Sequence, residues 1–381
     1  MKARIRFRYI TLMILVLALV AAACANREAD GPVADEAPVD EPDGEREATR
    51  VTLSVNNPIL NPILAFFWVG SHEQLGWYED VGIEVQVGRS QGAADSTQRL
   101  IAGLIDIGMP PPSMFVYAVA DGQDTGLVSV YNFRRHGQYH IAVEPDSDIE
   151  TLEDLRGQPV GVPSLGDEGV VFMEAIAREL GWDDEELNLI AVGPAGEATT
   201  ALSQGNVVAL SHPGGQYDLV EAQGVELRYL PQPEFADSVF ANHLMIREDY
   251  ARENHDMLAD FLRVVTKGLV FFTENPEAAV RIHYDLHPDT VPAGLSIDEA
   301  VANTVESLGF SYDTLLFDDK ECQLWGCNEL EEWVAYIEFL GLTSDDVGDI
   351  EALFTNEYIE YANDFDEDEI RQMARDFVLE D

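Results

Sequence analysis

The stretch LIAGLIDIG, Leu100 to Gly108, decides the fold, because ALSQGNVVAL, Ala201 to Leu210, echoes it. Leu100, Gly103 and Asp106 stand three apart in the first, and Leu202, Gly205 and Val208 in the second. Each ends a helix on a glycine, which adopts a left-handed backbone without a Cβ clash, and enters a strand at once. Working outward from the first copy, VTLSV (51–55), IEVQV (83–87), IDIGM (105–109) and GLVSVY (126–131) read as strands. Helical stretches lie between them at about Ile59 to Tyr78, Ser96 to Ala102 and Ser113 to Ala120.

Around the second copy the same alternation recurs. YHIAV (139–143), PVGV (159–162), LNLIAV (187–192) and VVAL (207–210) read as strands, with helices at Val170 to Leu180 and Glu197 to Gln204. A short helix opens at Thr151, with Asp154 completing a capping box. Such β-α-β order implies α/β architecture with mostly parallel sheets. The expectation is two doubly wound lobes, with crossovers near Arg134–His140 and Phe240–Ile246. Residues 51–137 plus 245–381 form the first lobe and 138–244 the second. Past Met245 the periodicity is helical, at Leu258–Thr273, Pro276–His283, Ile297–Leu308, Leu330–Leu340 and Glu367–Phe377, and this region is expected to pack on the first lobe.

The charge is extreme. Among 381 residues, 71 Asp and Glu face 22 Lys and Arg, a formal net charge of −49. Phosphates would be repelled, which counts against nucleic acid as a partner. Self-repulsion of this size is screened at about 1 M salt, where the Debye length is roughly 3 Å. This points to an exported protein of a saline habitat; general acidity for solubility is the alternative.

Residues 1–24 carry the marks of a signal peptide: Lys2, Arg4, Arg6 and Arg8, an apolar core from Ile10 to Val20, then Ala21, Ala22, Ala23 and Cys24. AAAC resembles the lipobox of bacterial lipoproteins, in which the Cys24 thiol is lipidated and anchors the chain on the outer face of the cytoplasmic membrane; simple cleavage after Ala23 is the alternative. Residues 25–50, rich in Ala, Pro, Asp and Glu, read as a disordered acidic tether. Outside the cytoplasm the close pair Cys322 and Cys327 reads as a disulfide rather than half of a metal site.

Several motifs then carry a resemblance: LGWYEDVGIEVQV, LIAGLIDIG, IETLEDLRGQPVGVPS, ALSQGNVVAL and FTENPEAAVRIHYDLHP, spread from Val51 to about Leu286. The chain resembles the ABC-importer solute-binding proteins for nitrate, sulfonates, taurine and pyrimidine precursors of thiamine, of type II periplasmic-binding-protein fold. The resemblance implies two lobes closing on a solute, a monomer, and an ABC permease and ATPase as partners.

Ligands of open α/β sheets bind at the carboxyl ends of strands, which singles out four turns. NNPILN offers Asn56 and Asn57, with Trp68 as a possible stacking wall, against plain turn or cap duty for Asn56. MPPPS offers Pro110 and Ser113. PSLGDEG offers Ser164, Gly166, Asp167 and Glu168, whose acids equally suit a helix start. SHPGGQYD offers His212 and Tyr217. Asn242 and Arg134 stand at the crossovers. Asp167 and Glu168 repel an anion, so the expected solute is an amine-bearing heterocycle, with Arg134 as the counterweight that favours a sulfonate or nitrate.

Enzyme motifs are wanting: there is no GxSxG, GK[ST] phosphate loop, GxGxxG or HExxH. His283 and His287 stand four apart, but no third metal ligand is evident. No cofactor or metal is expected. A pyrimidine synthase related to the family has a cysteine-rich motif absent here. An extracytoplasmic sensor lobe, binding without transport, is the other alternative.

Overall fold

The helix-to-strand passages close as their glycines require. Gly103 and Gly205 have φ of 66° and 69°. In the first passage Leu104 N donates to Arg99 O and Gly103 N to Leu100 O; in the second Asn206 N donates to Ala201 O and Gly205 N to Leu202 O. Both are Schellman caps, so each helix stops at a fixed residue and aims the chain into the next strand.

The computed structural model describes residues 48–57, 59–221, 224–317 and 320–379. The expected signal peptide, Cys24 and nearly all of the tether lie outside the described residues. The end of that tether is reassigned, since Thr49 and Arg50 already belong to the first strand.

Among the described residues, ten strands form two five-stranded sheets. The first holds β1 (Thr49–Val55), β2 (Ile83–Arg89), β3 (Ile107–Gly108), β4 (Leu127–Asn132) and β10 (His243–Arg247), in the order β2-β1-β3-β10-β4. The second holds β5 (Tyr139–Val143), β6 (Pro159–Val162), β7 (Asn188–Ala191), β8 (Ala209–Pro213) and β9 (Arg228–Tyr229), in the order β7-β6-β8-β5-β9. The two orders correspond strand for strand. In each sheet the strand arriving from the other, β10 or β5, is antiparallel to its inner neighbour, and the first three strands are parallel. Two chain crossings therefore join two α/β lobes, which makes a hinge.

The first lobe is buried by the helix His255–Glu274, whose Phe261, Leu262, Val265, Leu269 and Phe272 pack with Val51, Leu53, Phe66 and Phe67. The next helix, Pro276–Leu286, starts on a proline at its first turn, with the Asn275 side chain accepting from Ala278 N at 3.1 Å. The C-terminal region does more than cover this lobe. Trp333, Tyr336 and Phe339 of the helix Leu330–Phe339 share a core with Phe115 of the first lobe and Phe172 and Ile176 of the second.

Two expected elements differ. The helix at about Ile59 to Tyr78 is instead two 3-10 turns, Pro62–Phe67 and Val69–Ser71, and a short helix, Trp77–Asp80. Gly70 and Gly268 allow close packing there: a Cβ on Gly268 would lie 2.0 Å from the Phe66 carbonyl oxygen. The strand after Gly205 begins and ends later than VVAL, so Ser211 and His212 lie within β8 rather than in a turn.

Cys322 and Cys327 form a disulfide, with Cα atoms 6.4 Å apart. The loop it closes docks on β4, where Asn132 N donates to Gly326 O at 2.8 Å. Among the described residues no helix is long and apolar enough to cross a membrane.

Candidate functional site

Where the carboxyl ends of β1, β3 and β6 meet the crossovers, the lobes enclose an open cleft, lined among others by Asn56, Asn57, Asn61, Arg134, Gln138, Tyr139, Asp167, Gln216, Asn242 and Ser311. Six of these side chains are amides. Asn61 caps the turn at Pro62 through Ile63 N (3.1 Å), and Asn57 Oδ1 accepts from Ile59 N (3.1 Å). Gln138 Nε2 donates to Asn242 Oδ1 at 2.8 Å, and Asn242 Nδ2 donates to Met109 O at 2.8 Å. Asn56 makes no hydrogen bond among the described residues, which leaves its donor and acceptor to the cleft.

Asp167 and Glu168 part company. Asp167 is the N-cap of the helix Glu168–Glu179 and also lines the cleft. Its Oδ1 accepts from Gly169 N at 2.9 Å and from Tyr139 OH at 2.8 Å. Burial raises its pKa, and those two hydrogen bonds oppose the rise. Cap and cleft residue are thus one side chain. Glu168 is turned away from this cleft. It is buried, accepting at Oε2 from Ser113 Oγ of the first lobe and at Oε1 from Tyr336 OH at 2.5 Å. Burial pushes its pKa up to about 7, against the lowering effect of both hydroxyl donors.

Arg134 also reaches the cleft, with Nη1 donating to Ser311 O (3.3 Å) and Thr314 Oγ1. Burial lowers its pKa to about 10, and the nearby Asp218 opposes that. The cleft therefore contains one guanidinium and one carboxylate rather than a single sign of charge.

Several expected contacts lie elsewhere. Trp68 is buried in the first lobe, where its Nε1 donates to His283 Nδ1 at 3.1 Å; it is no wall of this cleft. With Nδ1 so occupied, His283 presents Nε2 to Thr290 Oγ1 at 2.9 Å, which satisfies the ring as a neutral tautomer. Among the described residues no group of three His, Cys, Asp or Glu side chains is placed to hold a metal. His212 is buried within β8 and bonded to Gln216 at 3.0 Å, and the Tyr217 hydroxyl ties Leu210 O and His140 O. Pro110 and Ser113 are buried beside the cleft, whereas Ser164 and Gly166 are exposed outside it. Sequence reasoning missed Asn61, Gln138, Tyr139 and Ser311. The first had a signal, since NP precedes ILAFF as it precedes ILN; Ser311 had none.

A family model described as NMT1/THI5 like matches residues 65–279, more than half of the chain. The chain belongs to the NMT1/THI5 like family. A riboflavin-binding protein of Chloroflexus aurantiacus is 25% identical over 370 residues, covering 93% of this chain and 98% of that one. A formylaminopyrimidine-binding protein of Halalkalibacterium halodurans is 23% identical over 224 residues, covering 58% of this chain and 66% of that one. A 4-amino-5-hydroxymethyl-2-methylpyrimidine phosphate synthase of Legionella pneumophila is 23% identical over 242 residues, covering 61% of this chain and 72% of that one. The solved periplasmic nitrate-binding protein NrtA of Synechocystis superposes with a TM-score of 0.59 at 13% identity, over 83% of this chain and 88% of that one, which shows a shared fold. This NMT1/THI5 like chain thus has the periplasmic-binding-protein architecture, with its cleft at the hinge between the lobes.

Proposed function

We propose that this protein is the extracytoplasmic solute-binding component of an ABC importer and that it captures a nitrogen heterocycle bearing amine or amide groups. The observation that carries the reading is the cleft lining: side-chain amides, with that of Asn56 open to a ligand, one carboxylate, and the rings of Phe133 and Tyr139. Amides pair with ring nitrogens and exocyclic amines of either polarity, and Asp167 accepts from an amine at the strength of a charge-assisted bond. Two relatives named for binding riboflavin and a formylaminopyrimidine support the same ligand class.

A sulfonate or nitrate is the second reading, favoured by Arg134 at the cleft wall. Against it, Arg134 already donates to Ser311 O and Thr314, and Asp167 adds a like-charge cost. The ligand class is tested by thermal shift of the purified protein with riboflavin, aminopyrimidines, taurine and nitrate. A bound solute at a hundredfold its Kd stabilises by about 2.7 kcal/mol; a shift with heterocycles and none with the anions is expected, and the reverse overturns the reading. Export, with Cys24 lipidated, a monomeric state, and a permease and ATPase as partners complete the proposal. Intact mass of the membrane-bound protein, lacking acyl chains, would remove the anchor.

A further inference from the structure

The helical C-terminal region contains a short segment, Gly309–Thr314, that belongs to one lobe and grips the other. On the first-lobe side, Tyr312 OH donates to Thr273 O at 2.8 Å, and Leu315 is buried in that lobe's core. On the second-lobe side, the Phe310 ring lies against His140 with centroids 3.9 Å apart, and against Tyr229 at 4.8 Å.

The fit is close enough to need bare backbone. A Cβ on Gly214 would lie 2.2 Å from the Phe310 Cβ, and one on Gly215 would lie 2.5 Å from the Ser311 hydroxyl. Asp218, on the same helix Gly214–Glu221, accepts from Ser311 N at 3.2 Å. The ring, the two glycines and the carboxylate therefore converge on one place. From there the contact runs to the cleft: Ser311 is part of its lining, and Ser311 O and Thr314 Oγ1 accept from Arg134.

We propose that Phe310 and Asp218 are positioning residues of the cleft, latching Gly309–Thr314 onto the second lobe so that Ser311 and Arg134 stand at the cleft wall when the lobes close. The latch contact stands on geometry alone. Its consequence for a solute rests on the binding function proposed above.

Phe310→Ala and Asp218→Asn in the full chain separate the two. In ligand-free protein, Phe310→Ala should speed amide exchange about tenfold or more in both the 309–314 segment and the 214–221 helix, and enlarge the radius of gyration by X-ray scattering. Asp218→Asn should speed exchange in 309–314. Helix 255–274 should stay protected in both variants. With riboflavin as the probe, both variants should release it about tenfold faster at an unchanged association rate. Unchanged exchange in 214–221 for Phe310→Ala, or protection lost throughout 255–274 in both variants, overturns the latch. Wild-type protein that does not bind riboflavin or an aminopyrimidine speaks against the ligand class, while exchange and scattering still decide the latch.

Discussion

Glu168 illustrates what a single residue type leaves open. Its folded pKa, about 7, lies above the ordinary glutamate value of 4.5 because burial disfavours the charge. The folded state therefore holds the proton more tightly than the unfolded one. This contribution to stability is complete below about pH 4.5 and is lost as the pH rises towards 7, by roughly 3 kcal/mol in all. Glu168→Gln should flatten chemical-denaturation stability across that window; an unchanged slope would assign the pH dependence to other groups. Adjacent acids at a helix start looked alike in sequence, since both suit the dipole. Asp167 was expected at the cleft or as a helix-start acid, and its place as the N-cap beside the cleft comes from the structure. The turning of Glu168 towards Ser113 and Tyr336 was not legible, because Tyr336 comes from a distant helix. Trp68 was misplaced for a related reason: the 3-10 turns send its ring inward to His283 rather than along a continuous helix face.

At the level of elements, local chemistry was readable and long-range docking was not. The Schellman glycines, the Thr151–Asp154 capping box and the parallel β-α-β order all follow from nearest neighbours in the chain. The seating of the disulfide loop does not. There the buried Arg135 reaches Glu329 at 2.5 Å, Glu332 at 3.3 Å and Cys322 O at 3.2 Å, with Lys320 at 3.4 Å from Glu332. Arg135 meets these partners across nearly two hundred positions, so no local pattern announces them. Removing one partner strands the other in low dielectric, which commonly costs about 3–5 kcal/mol. Arg135→Met should lower stability by that order in denaturant titration, more than Arg50→Met at the exposed Arg50–Glu84 pair, where about 0–1 kcal/mol is the norm. Equal small losses would mean that the network contributes little.

For the whole molecule, the net charge of −49 sets the conditions under which the fold is stable. Like charges spread over one surface repel at low ionic strength and are screened at about 1 M salt. The melting temperature should therefore rise from low salt to about 1 M potassium chloride; a flat or falling curve would show that the acids are locally balanced. The two-lobe plan and its cleft were legible at this scale, because open α/β sheets place ligands at strand carboxyl ends. The role of the C-terminal region in joining the lobes was not, since helical periodicity reports a buried face without naming what covers it. The cleft's chemistry is tested most directly by titration calorimetry on wild type and Asp167→Asn. Asparagine preserves the cap to Gly169 N while removing the charge. If Asp167 receives an amine, the variant should bind the heterocycle found by thermal shift about ten- to a hundredfold more weakly, a loss of roughly 1.5–3 kcal/mol. Tight binding of nitrate or a sulfonate by the wild type, made tighter still in Asp167→Asn, would contradict this account.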